Sequence, residues 1–369
     1  MKVCIDGRMI LSSGIGTILQ NFILNFSGEF ELSIIGNPKH LLPFLTDKTN
    51  YSIIESDLPI YSIKEQIKLP GLIPSCDIFW SPHYNIPLFP IKAKKRVVNI
   101  NDVFHLAFKH TTTLSQKLYA NLVINQAIIR SDRVITISKF SESEIKKHTF
   151  SKKNKFEIIY CGVDHNLFQK IDDSQKLEAA KRKYQLPPKY ILCVGNVKPH
   201  KNLKVLMNAL SSLKDNLQDY EIVIVGKQQG FITGDPLLFK KIQEDPFLSA
   251  KTKFTGFVPN EDLPCIYNLA SLFIFPSFYE GFGLPPLEAM ACGCPVLVSH
   301  AASMPEICED AARYFNPLNE EDMAAKILDA LTTESNTYIA KGLNHSKKFT
   351  WQKYYSTQKS IFQNLIECN

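Results

Sequence analysis

The chain has 369 residues, 45% of them apolar and 21% charged, with a formal net charge of +6. That length fits about two domains, and the balance is that of an ordinary globular protein in which each half can bury its own core. No lysine–arginine run is dense enough for nucleic acid, so the modest positive charge reads as a solvated basic surface or as attraction to an anionic ligand or membrane surface.

Nine cysteines, an odd number without disulfide-like spacing, point to reduced thiols in a cytosol. Cys292-Gly-Cys294 has no C-x-x-C or histidine partner, so no metal site is expected and the pair reads as buried small residues. The N-terminus lacks a signal-peptide core, and no apolar run approaches the roughly eighteen residues of a membrane span.

In chain order, residues 2–6 read as a short buried strand. A loop over 7–16 ends in Gly14-Ile15-Gly16, and a helix is expected from Thr17 onward. Strand, glycine loop and helix start suit either close approach of a phosphate or a plain strand–helix turn. Further strands are expected at 32–35, 51–54 and 78–81, the last followed by His83. Another, at 96–100, feeds Asn101-Asp102 and His105. A helix at 114–131 is followed by a strand at 133–137, with Ser141 and Glu144 spaced as a capping box. A strand at 156–160 closes this half. Alternating strands and helices mean α/β with a mostly parallel sheet.

The polar stretch 172–189 holds the expected domain linker. A second α/β half then begins at 190–194, followed by Gly195-Asn196 and Lys201-Asn202, and a helix at 203–213. Strands are expected at 221–225, 254–256, 272–275 and 295–299. The expected domains are 1–170 and 171–350, and a last helix in 351–369 is expected to cross back to the first. In doubly wound sheets ligands bind beyond the carboxyl ends of the strands. That rule collects Gly14–Gly16, His83, 101–105 and Ser138 in the first half. In the second half it collects 196–201, Gly226-Lys227, 280–288 and 299–304.

The densest chemistry lies in E-G-F-G-L-P-P-L-E, residues 280–288. Pro285 and Pro286 suit a first helical turn, and Gly293 an αL stop. Glu280 is then a loop residue and Glu288 a first-turn residue. The main-chain N–H groups of Phe282, Gly283 and Leu284 point into the same space. Amides, a helix N-terminus and carboxylates together suit a sugar nucleotide. Glu306 reads as the capping-box acid of Ser303.

Taken together, these blocks resemble the retaining glycosyltransferases of family four, which have the GT-B fold. The resemblance rests on G-I-G, S-K-F-S-E-S-E, C-G-V-D, V-G-N-V-K-P-H-K-N-L and F-T-G-F-V in this order. It rests further on F-P-S-F-Y-E-G-F-G-L-P-P-L-E-A-M-A-C-G-C-P-V and A-S-M-P-E-I…D-A-A-R-Y-F-N-P. It implies two Rossmann-like doubly wound domains facing across a cleft, the first for the acceptor and the second for a sugar nucleotide. By position, Glu280 would bond the donor sugar near the reacting centre and the amides of Phe282 and Gly283 its hydroxyls. Leu284 would line the diphosphate, Glu288 would accept from the ribose, and Lys201 would neutralise the diphosphate. Gly14, Ile15 and Gly16 would approach the phosphates from the opposite domain.

The chain departs from the pattern at three places. Asn196 stands where relatives often carry arginine, His200 where others do, and Asn101 where many have histidine before aspartate. His105 is either that histidine's replacement or a packing residue, and Asp102 either a helix cap or an acceptor-side group. The function the resemblance implies is retaining transfer of a hexose, mannose-like, with GDP-mannose favoured as donor. The acceptor would be a saccharide or lipid-linked saccharide of a surface polysaccharide or glycolipid. No cofactor or metal is expected; the location would be cytoplasmic, with possible peripheral membrane contact. The competing readings are an epimerase on the same fold and a non-catalytic nucleotide-sugar-binding protein.

Overall fold

The computed structural model describes residues 1–26, 28–45, 50–108, 114–151, 155–226 and 235–367; the side chains of 105 and 114–117 also lie outside the described set. The chain forms two compact units, Met1–Gly162 with Trp351–Asn369, and Val163–Thr350. The change of unit falls at Gly162/Val163 rather than at 170/171. The reason is local: the Val163 N–H donates to Phe349 O at 3.1 Å, and Val163 bridges Thr350, tying this segment into the second unit. The stretch expected as linker is likewise packed there. Its helix Ser174–Lys183 lies against the helix Leu263–Leu269, and Lys183 Nζ and Tyr184 Oη both reach Asp262, at 2.7 and 2.5 Å.

The first unit has seven strands, β1 (Lys2–Asp6), β2 (Glu31–Gly36), β3 (Tyr51–Glu55), β4 (Cys76–Ser81), β5 (Ala93–Asn99), β6 (Arg133–Thr136) and β7 (Phe156–Ile158). They pair in parallel in the order β3-β2-β1-β4-β5-β6-β7. The central strands read as continuous apolar runs because helices cover both faces of a parallel sheet. Val3, Cys4, Ile5, Ile78, Phe79 and Trp80 are all buried.

The helix Ser13–Leu24 begins four residues earlier than the periodicity suggests, so Gly14–Gly16 are its first turn and not a loop. The cap of the helix Lys139–His148 is Ser138, accepting from Ser141 N at 2.9 Å, in place of the expected Ser141–Glu144 pairing. The last helix, Trp351–Glu367, belongs to this unit. Tyr355 and Phe362 pack on Phe22, and the Tyr354 hydroxyl accepts from Asn99 at 3.0 Å.

The second unit has β8 (Tyr190–Val194), β9 (Glu221–Val225), β10 (Thr252–Gly256), β11 (Leu272–Phe275), β12 (Val296–Ser299) and β13 (Arg313–Phe315), parallel in the order β10-β9-β8-β11-β12-β13. Its core joins Ile191, Ile224 and Ile274 from the sheet to Leu206, Leu210 and Ile327 from the helices. β13 and the helices Glu320–Thr332 and Asn336–Ser346 follow the expected strands. Among the described residues no helix is long and apolar enough to cross a membrane.

Candidate functional site

In each sheet the strand order reverses once, and the crevice beyond the strand ends at that point is where such folds receive ligands. In the second unit the reversal lies between β8 and β11. Two loops leave there, 195–202 after β8 and 276–283 after β11.

The first loop turns sharply. Gly195 and Gly226 have φ of +145° and +150°, and a Cβ on Gly226 would collide with Gly195 O. That close approach needs glycine. Pro199–Lys201 forms a short 3-10 turn, and Asn202 follows in the left-handed region at φ +56°. Asn202 is buried, and its side-chain amide donates to Pro317 O at 2.8 Å, which holds this uncommon backbone in place. The ammonium of Lys201 is thereby fixed at the sheet edge, 5.0 Å from the Phe275 ring centre.

The second loop is fastened to the first by Phe278 N–H donating to His200 O at 3.1 Å. It is fastened from below by Ser303, whose buried hydroxyl lies 2.9 Å from Glu280 O and 2.6 Å from Phe282 O. The Ser303 hydroxyl is turned toward these carbonyls and accepts no capping bond from its own helix, Met304–Cys308, so the expected Ser303–Glu306 capping box is not formed. Phe282 is buried, with its ring 6.0 Å from that of Phe349.

The consequence is a contact between the two residues singled out as catalytic. Lys201 Nζ hydrogen-bonds and ion-pairs Glu280 Oε1, with side chains 19% and 17% exposed. Asn196 is half-buried in the same loop as Lys201.

Gly283, at φ +109°, opens the helix Leu284–Ala291, with the two prolines in its first turn. Gly293 ends it at φ +72°: its N–H goes to Met290 O, and Cys294 N–H to Ala289 O, a Schellman close. Glu288 is the fifth residue of this helix, one turn deeper than the expected first-turn position. It accepts a hydrogen bond from the buried Tyr267 hydroxyl at 3.0 Å. Burial pushes its carboxyl up to about 7, and the Tyr267 hydrogen bond opposes that rise. Among the described residues, no group of three or more His, Cys, Asp or Glu side chains is placed to hold a metal ion.

The remaining residues singled out from the sequence lie in the first unit. Gly14 is exposed, with nothing within 4 Å of where a Cβ would sit, whereas a Cβ on Gly16 would be 2.5 Å from Ile10 O. Gly16 is thus required by packing against its own unit. Ile15 lies between them in the same helical turn. His83 follows β4, and its Nε2 is 3.1 Å from the Tyr61 hydroxyl. Asn101 and Asp102 follow β5. Asn101 O accepts from Ser141 Oγ at 2.7 Å, and its buried Oδ1 has no hydrogen-bond partner among the described residues. Asp102 accepts from Phe104 N at 3.0 Å, a local turn-capping bond. Lys227 and the side chain of His105 lie outside the described residues.

Sequence reasoning did not single out Arg8, Tyr61, Glu65, Asn85 or Tyr267. These depend on contacts between positions far apart in the chain. Gly226, collected from the sequence with Lys227, is placed directly after its apolar strand as expected.

Residues 174–347 match the family model described as Glycosyl transferases group 1. The serotype-specific mannosyltransferase WbdA of Escherichia coli is 36% identical over 230 residues, which are 60% of this chain and 27% of that protein. The chain thus spans about a quarter of that relative's length. The O-antigen chain mannosyltransferase B of Escherichia coli is 29% identical over 281 residues, 74% of this chain and 71% of that protein. The structure of Anabaena HepE in complex with UDP-glucose superposes with a TM-score of 0.77 over 99% of this chain and 100% of that one, at 16% identity. At that identity the likeness is one of fold: two parallel α/β units, as in GT-B proteins. The stretch 174–347, which carries Lys201, Glu280 and Glu288, is thus similar in sequence to the glycosyl transferases group 1.

Proposed function

We propose that the chain is a retaining, sugar-nucleotide-dependent hexosyltransferase that adds a mannose-like sugar to a saccharide acceptor in surface-polysaccharide synthesis. The observation that carries this reading is the Lys201–Glu280 contact at the switch point of the second sheet, inside the family-matched stretch. A nucleoside-diphosphate sugar needs a cation where its diphosphate leaves and an acceptor for its sugar hydroxyls. The ion pair places the two within reach of one ligand. Glu288, one helical turn away, would serve the ribose hydroxyls, and Leu284 and the amides of Phe282 and Gly283 would line the sugar and diphosphate.

The chemistry follows from charge. As the glycosidic bond to the diphosphate breaks, negative charge grows on the leaving oxygens, and Lys201 stabilises it. The acceptor hydroxyl attacks the same face of the sugar and gives its proton to a leaving phosphate oxygen. No covalent enzyme intermediate and no metal are part of this scheme. The relatives' names favour mannose, and with it GDP-mannose as donor. HepE, whose structure holds UDP-glucose, makes a uridine donor the comparison to run.

A cytoplasmic site with peripheral contact to an anionic membrane would suit a lipid-linked acceptor. The net charge and the exposed Ile63 and Ile67, interleaved with Lys64 and Lys68, support it. Partition onto anionic vesicles that ignores salt up to a few hundred millimolar sinks that part of the proposal.

The deciding experiment is a thermal-shift series with GDP, GDP-mannose, UDP and UDP-glucose. A ligand at 100 times its Kd stabilises by about 2.7 kcal/mol. We expect one nucleotide series to do so, Lys201→Ala to abolish the effect, and the product to keep the donor's anomeric configuration by NMR in the presence of a chelator. Donor turned over to an epimer without any acceptor refutes the transferase reading, and an inverted product refutes retention.

A further inference from the structure

The short helix Met304–Cys308 holds up the loop that carries Glu280, and it is bracketed by two strained residues. Ala302 has φ +53° and Glu309 φ +45°, a region that favours glycine. The strain is greater at Glu309, whose ψ of −128° also falls outside the left-handed helical well.

Both ends of the bracketed helix carry a support. At its start the Ser303 hydroxyl is turned toward the carbonyls of Glu280 and Phe282. The Met304 side chain fills the space that a Cβ on Gly283 would need. At its end Ile307 O accepts from His345 Nε2 at 2.7 Å. The Ile307 N–H bonds Ser303 O at 2.9 Å, which joins the two ends. His345 is buried, and a carbonyl can only accept, so its Nε2 carries a proton. Its Nδ1 lies 3.5 Å from Glu309 Oε2. The same carboxylate oxygen takes Lys348 Nζ at 2.9 Å, and Asp310 takes Lys341 Nζ at 2.7 Å. The Tyr314 hydroxyl donates to Glu309 O at 2.6 Å. The strained turn is thereby clamped to the helix Asn336–Ser346 and to Lys348 just beyond it.

A second path leads from His345 to the same loop. Its ring lies 5.4 Å from that of Phe349, and the Phe349 ring 6.0 Å from that of Phe282. His345 therefore touches both supports of the loop, the polar one through Ile307 and the apolar one through Phe349.

Stability alone does not account for a glutamate at 309. Its pair with Lys348 is 52% and 55% exposed in its side chains, and such a pair returns less than a sparsely populated backbone conformation costs. Glycine would bear the same backbone without steric penalty. A side chain that reaches His345 and Lys348 is what glutamate adds.

We infer that Glu309 and His345 are positioning residues of the proposed donor site: they clamp the helix Met304–Cys308 against the loop 280–283 and so fix the Glu280 carboxylate opposite Lys201. Both act through Ser303, Met304 and Phe282. This rests on the transferase reading for calling the loop a donor-sugar loop; the clamp itself does not depend on it.

The test uses the full chain and has two arms. The first needs no ligand: amide hydrogen exchange over residues 278–284, with a Tm for each variant. Glu309→Gly removes the clamp while relieving the backbone, so we expect Tm unchanged or raised, and exchange in this segment about tenfold faster. The second arm titrates GDP, UDP, GDP-mannose and UDP-glucose by calorimetry. A free nucleotide lacks the sugar that Glu280 would serve, so the readout is the affinity for a sugar nucleotide relative to its own nucleotide. Glu309→Gly and His345→Leu should each lower that ratio about tenfold as Glu280 shifts, with the free nucleotide kept within about twofold. His345→Gln, whose amide can still donate to Ile307 O, should hold the ratio within about threefold of wild type. Unchanged exchange in Glu309→Gly overturns the inference. So does a Tm that falls with Glu309→Gly while nucleotide and sugar nucleotide weaken equally, the mark of a residue that only holds the fold. Equal loss in His345→Gln and His345→Leu overturns the role of the Ile307 bond and with it the clamp. A wild type that binds none of the four probes strikes the proposed function instead, and the exchange arm still decides the clamp, so the two failures are distinguishable.

Discussion

Arg8 with Glu65 and Lys201 with Glu280 are both ion pairs at a sheet's switch point, yet they differ in access. The first pair is 4% and 0% exposed in its side chains, the second 19% and 17%. A fully buried pair cannot be approached by a ligand, and its partners are spent on one another. It acts as scaffold. A pair left at the rim keeps its charges available, on the proposed function to an incoming diphosphate. The same topological position therefore shuts its charges away in one unit and leaves them within reach in the other.

Breaking either pair tests this contrast most strongly. Arg8→Met leaves Asp6 and Glu65 buried without their cation, which costs about 3–5 kcal/mol and lowers Tm by roughly 10 °C for a unit of this size. Lys201→Met costs about 1 kcal/mol or less in a urea melt but lowers kcat by about 10²–10³. Should both variants lose stability equally and turnover equally, the contrast is wrong.

The Glu288 carboxyl gives the next effect. Its folded pKa of about 7 lies above an unfolded value of about 4.3, so its contribution is fully present below pH ~4.3 and is lost as pH rises through 7. The unfolding free energy of the wild type from urea melts should fall between pH 4.5 and 8 by an amount on the order of 3 kcal/mol, and Glu288→Gln should flatten that slope. Donor affinity should run the other way, improving above pH 7 as the carboxylate becomes a full acceptor for ribose hydroxyls. A wild-type slope identical to that of the variant removes Glu288 as its source.

Ser303→Ala sharpens the picture of how the second site is held. It leaves the Glu280 and Phe282 carbonyls without their donor, at about 1–3 kcal/mol, and kcat should drop about tenfold as Glu280 loosens. Unchanged kcat at lowered stability would make Ser303 a fold residue only. The smallest effect separates two glycines. Gly14→Ala in an exposed helical turn should gain about 0.5–1 kcal/mol, while Gly16→Ala should destabilise, since its Cβ meets Ile10 O. Donor affinity that survives Gly14→Ala removes Gly14 from the phosphate contacts.

Much of the fold was readable because parallel strands are continuous apolar runs: residues 190–194 and 272–275 needed no partner to be recognised. The site was readable where it is local, as in the proline-opened helix after Gly283 and the Gly293 close. What stayed hidden depends on distance along the chain. Glu65 sits in a polar-looking helix, Ile63–Leu72, that contains Pro70, and its burial makes sense only beside an arginine 57 positions earlier. Ser303 is followed at the right spacing by Glu306, so the capping pattern was met, but nothing in the pattern says that two loop carbonyls some twenty residues back will turn the hydroxyl toward themselves. Lys201 and Glu280 were each identified by position. Their contact with one another required the two loops to be placed on neighbouring strands.

The helix Trp351–Glu367 makes the first unit discontinuous in sequence, and this sets an order in time. During synthesis the ring contacts of Phe22 with Tyr355 and Phe362, and of Trp80 with Phe362, have no partner until the last stretch of helix emerges. The second unit, Val163–Thr350, is by then complete. The first unit is thus finished only after the second has been made, and removing Tyr355 or Phe362 would damage the first unit, not the second.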